Sequence, residues 1–377
     1  MNSPIRVLHL VPWIAAGGVE RRRLTLARRL ARKRFEQRLL CLEQLTPLGD
    51  EIRSAGVPVV ELGGSWSYRD WFTSAMIRRW VTDWRPHIVH GAVYEGVVMA
   101  SSSWLISREH KVIVEETDVP VNRRIGGHAI LGLAASRADL CVGVSREVSR
   151  YFESKLRVPS RRVKTILNGV ERPRAVGASE TARIKAELGI PPGAKVVGTV
   201  GRLHDRHKRQ SDLIEAFGRL RSQHKDVRLL IIGSGPDRSA LESKASQLGL
   251  GTSVHFAGYQ ADTAPYYACL DVFALVSNRE ACPLVLMEAM LHGLPVVTTA
   301  IGGGSELVRH EVDGVHVPVG DIEAIARRVG ELLWDENKSG ALSRQAKTHA
   351  EANYTADRYV EQVAETYEHI VGASRAV

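Results

Sequence analysis

Eleven short apolar runs, each leading into a helical pattern, recur along this chain and leave few folds open to it. IRVLHLV, RLLCL, VPVVEL, HIVHG, KVIVEE and LCVGVS come first; KVVGTVG, VRLLIIG, VHFAG, DVFALVS and PVVTTA follow after a gap. Runs this rich in Val, Ile and Leu lack the in-and-out alternation of a half-exposed strand. They suit strands buried on both faces, the condition of parallel sheets whose crossovers are helices. The expected class is α/β, with the pattern laid down twice.

At 377 residues the chain is longer than one hydrophobic core usually organises. Periodicity lapses after VKTILNGV, where ERPRAVGAS gathers Pro, Gly and Ala before the helical ETARIKAELGI. A linker is expected at Glu171 to Ser179, with one domain over residues 1–175 and a second over 176–354. The remainder, 355–377, carries Tyr359, Val363 and Tyr367 at fourfold spacing, an amphipathic helix that could pack on either domain, a return to the first included.

Composition narrows the class of protein. With 44% hydrophobic and 25% charged residues it reads as an ordinary globular chain. No apolar run is long enough to span a bilayer, and Met1 to Arg6 leads into a strand without a signal-peptide pattern, so a cytoplasmic protein is expected. Cys41, Cys141, Cys269 and Cys282 show no metal-ligand spacing, and three of them sit in apolar strands and read as reduced core thiols. A net charge of +9 favours an acidic partner: a nucleotide, an anionic membrane or a nucleic acid. No nucleic-acid-binding motif is present, so that partner is not expected.

The most informative stretch is NREACPLVLMEAMLHGLPVV, in which Glu280 and Glu288 bracket seven residues. Glu280 closes the strand DVFALVS, and Glu288 falls one turn into a helix starting near Leu284. Both carboxylates are thus expected at one strand-to-helix crevice, where open parallel sheets hold ligands and helix ends present unpaired amides. Carboxylates that accept hydroxyls, beside an anion-binding helix end, suit a sugar joined to a phosphate.

Three further segments follow the same logic. In VGRLHDRHKRQ, Gly201, Arg202 and Lys208 lie on a loop at a strand's carboxyl end, and two cations there suit a diphosphate. Exposed Arg and Lys are common, so a solvated basic loop is the plain alternative. Near the start, VPWIAAGGVERRRL sets Gly17 and Gly18 ahead of a helix, where a backbone can approach an anion, though a tight turn explains the pair equally well. IGGGSELV repeats the design at Gly302 to Gly304, and GSGPD at Gly233 to Asp237 is not the dinucleotide fingerprint G-x-G-x-x-G. No D-x-D pair, zincin motif or G-x-S-x-G elbow occurs, so neither metal nor cofactor is expected. Trp66, Trp71, Phe72, Trp80 and Trp84 interleave with Arg69, Arg78, Arg79 and Arg85, and an earlier helix carries Arg21, Arg22, Arg23, Arg28, Arg29 and Arg32. Peripheral contact with an anionic membrane is one reading, core tryptophans beside a solvated face the other.

In order and spacing, GGVE, ILNGV, VGRL with Lys208, the Glu280 to Glu288 interval, EAMLHGLPVVTT and GGGSELV resemble the family 4 glycosyltransferases over nearly the whole length. The resemblance implies a GT-B fold, two Rossmann-like domains facing across a cleft, and retaining, metal-independent transfer from a nucleotide-sugar. UDP-sugar is the expected donor, with GDP-sugar second. The acceptor is a saccharide, a lipid-linked group or a small molecule, in cell-surface polysaccharide or glycoconjugate synthesis, a membrane-borne acceptor bringing the protein to the inner face of the membrane. By resemblance Arg202 and Lys208 hold the diphosphate, Glu288 the ribose and Glu280 the transferred sugar. Leu284 and Val285 supply amides to the distal phosphate, Gly17 and Gly18 approach it from the other domain, and Gly258 and Tyr259 lie near the base. Two departures stand out. Cys282 and Pro283 replace the usual Phe-Gly, and Pro removes an N–H from that contact. Glu115, Glu116, Thr117 and Asp118 stand where many members carry a histidine, leaving His90, Glu116 and His128 as acceptor-side candidates. A nucleotide-sugar epimerase and a noncatalytic nucleotide-sugar sensor remain alternatives.

Overall fold

The apolar runs form parallel strands. The structure, a computed structural model, describes residues 3–15, 17–63, 75–119 and 125–375. Trp66, Arg69, Trp71 and Phe72 lie outside the described residues. Close contacts divide the chain into Met1–Gly169 with Ala356–Val377, and Val170–Thr355. The first boundary precedes Val170 rather than following residue 175, because Val170 bridges to Thr355 and its amide donates to Tyr354 O at 2.9 Å.

The first unit contains β1 (Ile5–Ile14), β2 (Phe35–Gln44), β3 (Val59–Glu61), β4 (Ile88–Ala92), β5 (Lys111–Glu116), β6 (Leu140–Gly143) and β7 (Val163–Thr165). Their order is β3-β2-β1-β4-β5-β6-β7, with every pairing parallel. The helices are α1 (Gly18–Arg29), α2 (Leu48–Ser54), α3 (Ala75–Trp84), α4 (Val93–Ser103), α5 (Ile125–Arg137) and α6 (Arg146–Ser154). On one face, Val11, Leu39 and Cys41 pack with Leu24 and Ala27 of α1 and Ile52 of α2. Nearer the starts of β1 and β4 the same face is closed by residues far away in sequence: Tyr359, Val363 and Tyr367 pack against Val7, Ile88 and Ile113.

The second unit holds α7 (Ala178–Glu187), β8 (Lys195–Val200), α8 (Asp205–Lys208), α9 (Gln210–Gln223), β9 (Val227–Ile232), α10 (Arg238–Gln247) and β10 (Val254–Gly258). Then come α11 (Ala264–Tyr267), β11 (Val272–Leu275), α12 (Leu284–Leu291), β12 (Val296–Thr299), α13 (Gly302–Leu307), β13 (Val315–Val317), α14 (Ile322–Trp334) and α15 (Glu336–Asn353); α16 (Ala356–Arg375) belongs to the first unit. The sheet order is β10-β9-β8-β11-β12-β13, again parallel. Leu213, Ile214, Phe217 and Leu220 put one stripe of α9 onto Val197 and Leu229, beside Ile325 and Val329 of α14. Asp321 starts α14 by accepting the Ala324 amide at 2.9 Å.

Every apolar run named from sequence contributes to a strand. Two strands are not among those runs, β7 (VKT) and β13 (VHV), each three residues long with a polar centre and each at a sheet edge. Three residues are too few to display a period. In both sheets the strand order reverses direction once, between β1 and β4 and between β8 and β11. Loops leaving adjacent strands diverge to opposite faces there, which opens a crevice at the carboxyl edge.

Candidate active site

The crevice of the second unit is built on glycine. Beyond β8 and β9 the two chains keep pairing, with Gly201 N donating to Ile232 O and Leu203 N to Ser234 O, both at 2.9 Å. A Cβ on Gly233 would stand 1.9 Å from Gly201 O, and one on Gly235 would stand 2.2 Å from Leu203 O. The GSGPD segment is therefore an extension of the sheet that only glycine permits, a requirement invisible until Gly201 and Gly233 are seen to meet. Gly258 extends it further, its carbonyl accepting from Gly233 N at 2.8 Å, and Tyr259 beside it is 58% exposed.

After Arg202 the chain turns through α8. Asp237 Oδ2 accepts the Asp205 amide and Asp205 Oδ1 the Ser211 amide, each at 2.7 Å, while Gln210 Nε2 donates to Arg202 O. Arg209 takes a left-handed conformation (φ 50, ψ 38) that breaks α8 from α9. Lys208 is thereby turned toward the neighbouring loop, where its Nζ lies 2.5 Å from Glu280 Oε1. Fully buried Ser277 donates its hydroxyl to the same oxygen at 2.7 Å. Asn278 staples the loops together, N to His207 O at 2.9 Å and Nδ2 to Arg206 O at 2.8 Å. Arg202 itself is exposed.

The loop carrying Glu280 ends at α12, whose N-cap, Pro283, offers no side-chain bond. The first internal bonds run from Leu286 and Met287 to Pro283 O, so the Leu284 and Val285 amides precede the helix's own hydrogen bonding. One turn on, Glu288 Oε2 accepts the hydroxyl of buried Tyr267 at 2.9 Å. The glycine helix α13 closes on this loop from below: Gly303 N donates to Glu280 O at 2.7 Å, and a Cβ there would lie 2.5 Å from Ala281 O. Gly201, Lys208, Glu280 and α12 are thus brought together at one switch point, with Glu288 on the same helix.

In the first unit, Gly17 is the extended N-cap of α1. Glu20 folds back so closely that a Cβ on Gly17 would stand 2.6 Å from its Oε2. Burial pushes the Glu20 carboxyl up, against hydrogen bonds from the backbone of Glu20, Ala15 and Gly17. Its own carboxylate therefore already caps this helix end.

The acceptor-side candidates differ in setting. His90 is 3% exposed, with Nδ1 2.7 Å from Tyr367 Oη and Nε2 3.1 Å from Glu115 Oε2. Burial, and then Arg23, lower its pKa to about 4. Glu116 is equally enclosed, at 3%. Both are core groups of the first unit. His128 is half-buried, with Nδ1 2.7 Å from Tyr151 Oη. Arg22 and Arg23, grouped by sequence with a basic surface, are instead buried on Glu115, at 2.6 Å and 3.3 Å. Burial by itself would raise Glu115, but the two guanidiniums and His90 hold it well below the carboxylate range. Trp80 and Trp84 are half-buried and share the Arg38 guanidinium, 5.1 Å and 4.5 Å from the ring centres. Among the described residues no helix is long and apolar enough to cross a membrane.

Known proteins resemble this chain in sequence and in fold. Residues 180–349 match the model "Glycosyl transferases group 1", and residues 16–174 match "Glycosyltransferase Family 4". The chain is similar to the N-acetyl-alpha-D-glucosaminyl L-malate synthase of Bacillus anthracis, 24% identical over 74% of this chain and 73% of that protein. It is 34% identical to a D-inositol 3-phosphate glycosyltransferase of Corynebacterium urealyticum, over 66% of this chain and 60% of that protein. A lipopolysaccharide core biosynthesis glycosyltransferase of Rhizobium meliloti, LpsE, is 35% identical over 44% of this chain and 51% of its own length. The matches therefore span about half to three quarters of these relatives. Among solved structures, Anabaena Alr3699/HepE in complex with UDP superposes with a TM-score of 0.86 at 21% identity, covering 97% of this chain and 100% of that one. A glycosyltransferase from Rickettsia africae gives 0.88 at 18%, covering 98% and 99%. These two likenesses are of fold. With both halves matched by the family's models and two parallel sheets of the GT-B kind, the chain belongs to the family 4, group 1 glycosyltransferases.

Proposed function

We propose that the protein moves a sugar from a UDP-sugar to a saccharide, lipid-linked or small-molecule acceptor, with retention at the anomeric carbon, in polysaccharide or glycoconjugate synthesis. The observation that carries this reading is the contact of Lys208 and Ser277 with one oxygen of Glu280, at the switch point of the second sheet. A cation and a carboxylate held this close suit a ligand that is a phosphate at one end and a polyol at the other. Support for the nucleotide comes from HepE, crystallised with UDP and with UDP-glucose.

In this reading Lys208 and Arg202 neutralise the diphosphate, and the α12 amides of Leu284 and Val285 meet the distal phosphate. Glu288, oriented by Tyr267, accepts the ribose hydroxyls, and Tyr259 lies near the base. Glu280 accepts hydroxyls of the sugar. As the bond from anomeric carbon to phosphate oxygen breaks, the leaving diphosphate receives charge that the cations stabilise, and its oxygen takes the acceptor's proton on the same face. The new glycosidic bond then forms with retained configuration. The positive charge comes from side chains and amides, so the reading asks for no metal. A lipid-linked acceptor would bring the protein to the cytoplasmic face of the membrane, which liposome flotation at low salt would test.

The direct test titrates UDP-glucose, UDP-N-acetylglucosamine, UDP-galactose and GDP-mannose while following thermal unfolding. At least one should raise the Tm of the wild type and fail to do so in Lys208→Ala. No shift with any of the four at millimolar concentration would sink the donor reading. Conversion of the free donor without acceptor would favour an epimerase instead.

A further inference from the structure

By its sequence α13 is a poor helix. Three of its six residues are glycine, and its N-cap, Ile301, supplies no side-chain bond. It must be held from outside. Gly303 N on Glu280 O secures one end, and the other end is secured by a chain of three side chains. Tyr354, 2% exposed, donates its hydroxyl at 3.0 Å to the carbonyl of Leu307, the last residue of α13. The same oxygen is 3.4 Å from His349 Nε2, and His349 Nδ1 is 2.7 Å from Asp313 Oδ2. Asp313 has no exposed surface; its Oδ1 accepts Arg309 N and its Oδ2 accepts Arg309 Nε, both at 2.6 Å. Burial would raise this carboxyl, but the bonds from His349 and Arg309 outweigh it and keep it ionised below the usual range.

We infer that Asp313, His349 and Tyr354 are positioning residues for Glu280 and act on it through α13. The inference rests on the reading that Glu280 and its loop hold the transferred sugar. Gly303 lies against that loop with no side chain between, a Cβ there standing 2.5 Å from Ala281 O and 2.8 Å from Pro283 Cδ. Any drift of α13 is therefore passed to residues 280–283. A six-residue helix with three glycines has little stiffness of its own; Gly304 rests on Thr299 O and Leu307 is buried, and the Asp313–His349–Tyr354 chain is the polar anchor remote from the sugar. The nucleoside part of the site depends on Glu288, its partner Tyr267 and the loop at Gly258, and Tyr267 holds Glu288 one turn beyond the N-cap that Gly303 touches. Loosening the anchor should weaken the hold on the sugar and spare the hold on the nucleoside diphosphate.

The test uses Tyr354→Phe, which deletes only the hydroxyl, and His349→Ala as a second break at a partly exposed ring, in case the first variant folds poorly. Amide hydrogen exchange followed by mass spectrometry should rise at least tenfold in peptides covering 302–307 and 279–283 and stay unchanged in β9 and in the first unit. Calorimetry should find UDP bound within twofold of the wild type, while the preference for the accepted UDP-sugar over UDP falls at least fivefold. His349→Gln, which keeps a donor for Asp313, should recover at least half of the loss. Unchanged exchange at 279–283 in both variants, or an unchanged sugar preference, overturns the inference. A wild type that binds UDP but none of the nucleotide sugars overturns the donor-site reading itself, and this inference with it.

Discussion

Lys208 Nζ and Glu280 Oε1 lie 2.5 Å apart, joining the loop after β8 to the loop after β11. With side chains 24% and 11% exposed, the pair keeps partial contact with water. An ammonium so placed can exchange its carboxylate partner for a phosphate, and the carboxylate is then released toward hydroxyls. Lys208→Ala should lower kcat/KM by a factor of about 100 or more, equivalent to about 3 kcal/mol for loss of one preorganised donor. Turnover within threefold of the wild type, measured under subsaturating donor, would remove Lys208 from the mechanism.

Tyr267 should matter through its hydroxyl alone. The ring is buried beside Phe273 and stacks on His292 at 4.8 Å, so Tyr267→Phe keeps the packing and takes one donor away from Glu288 Oε2. A net hydrogen bond of about 1 kcal/mol predicts roughly fivefold weaker UDP binding, with little change in Tm. Calorimetric titration of the variant decides it; equal affinity contradicts the role given to Glu288.

Two glycine substitutions should have opposite outcomes. Gly303→Ala places a methyl against the Ala281 carbonyl, and backbone cannot step aside cheaply. A loss of about 1–3 kcal/mol in stability is expected, with activity falling alongside. Gly126 lies in α5, where an added Cβ would meet nothing within 4 Å, so Gly126→Ala should be neutral or stabilise by up to about 1 kcal/mol. Chemical denaturation of the two variants checks both signs.

Glu115 sets one carboxylate against two buried guanidiniums, those of Arg22 and Arg23. Glu115→Gln removes that countercharge and should cost about 3–5 kcal/mol, visible as a lower urea midpoint. A change below about 1 kcal/mol would mean the cluster is far better solvated than its burial indicates.

The same cluster sets an acid limit. His90 falls from the ordinary 6.5 to about 4, so between those values the unfolded chain binds a proton that the folded chain does not. Unfolding therefore takes up protons, and stability drops as pH falls from about 6.5 toward 4. Glu115, depressed in the fold, adds stability above the ordinary carboxylate range that is lost as pH falls through its lowered pKa. Both act in one direction. Melting curves from pH 7 to 4 should show a steady decline that flattens in His90→Asn, and a Tm that rises on acidification would contradict this reading.

Sequence carries some of this fold openly and hides the rest. KVVGTV and VRLLII are legible as buried parallel strands because nearly every position is apolar, and that alone places the loops after them at one sheet edge. The approach of Lys208 to Glu280 follows from the same strand-loop-helix pattern. What it hides depends on distant partners. Arg22 and Arg23 look like solvent-facing cations until Glu115, more than ninety residues on, is found against them. His90 looks available until Tyr367 closes over it. The glycines of GSGPD match no fingerprint, and their use shows only when another backbone fills the space a side chain would need. In each case local pattern gives the residue type, and only the meeting of remote segments gives its use.

The placement of α16 bears on how the chain is made. Tyr359, Val363 and Tyr367 fill the floor beneath Val7, Ile88 and Ile113, so the half synthesised first cannot finish its interior until α16 has emerged from the ribosome. The half encoded second, Val170–Thr355, is one continuous segment and can settle earlier. During translation the older unit waits, unfinished and greasy on one side, for a helix made after its neighbour.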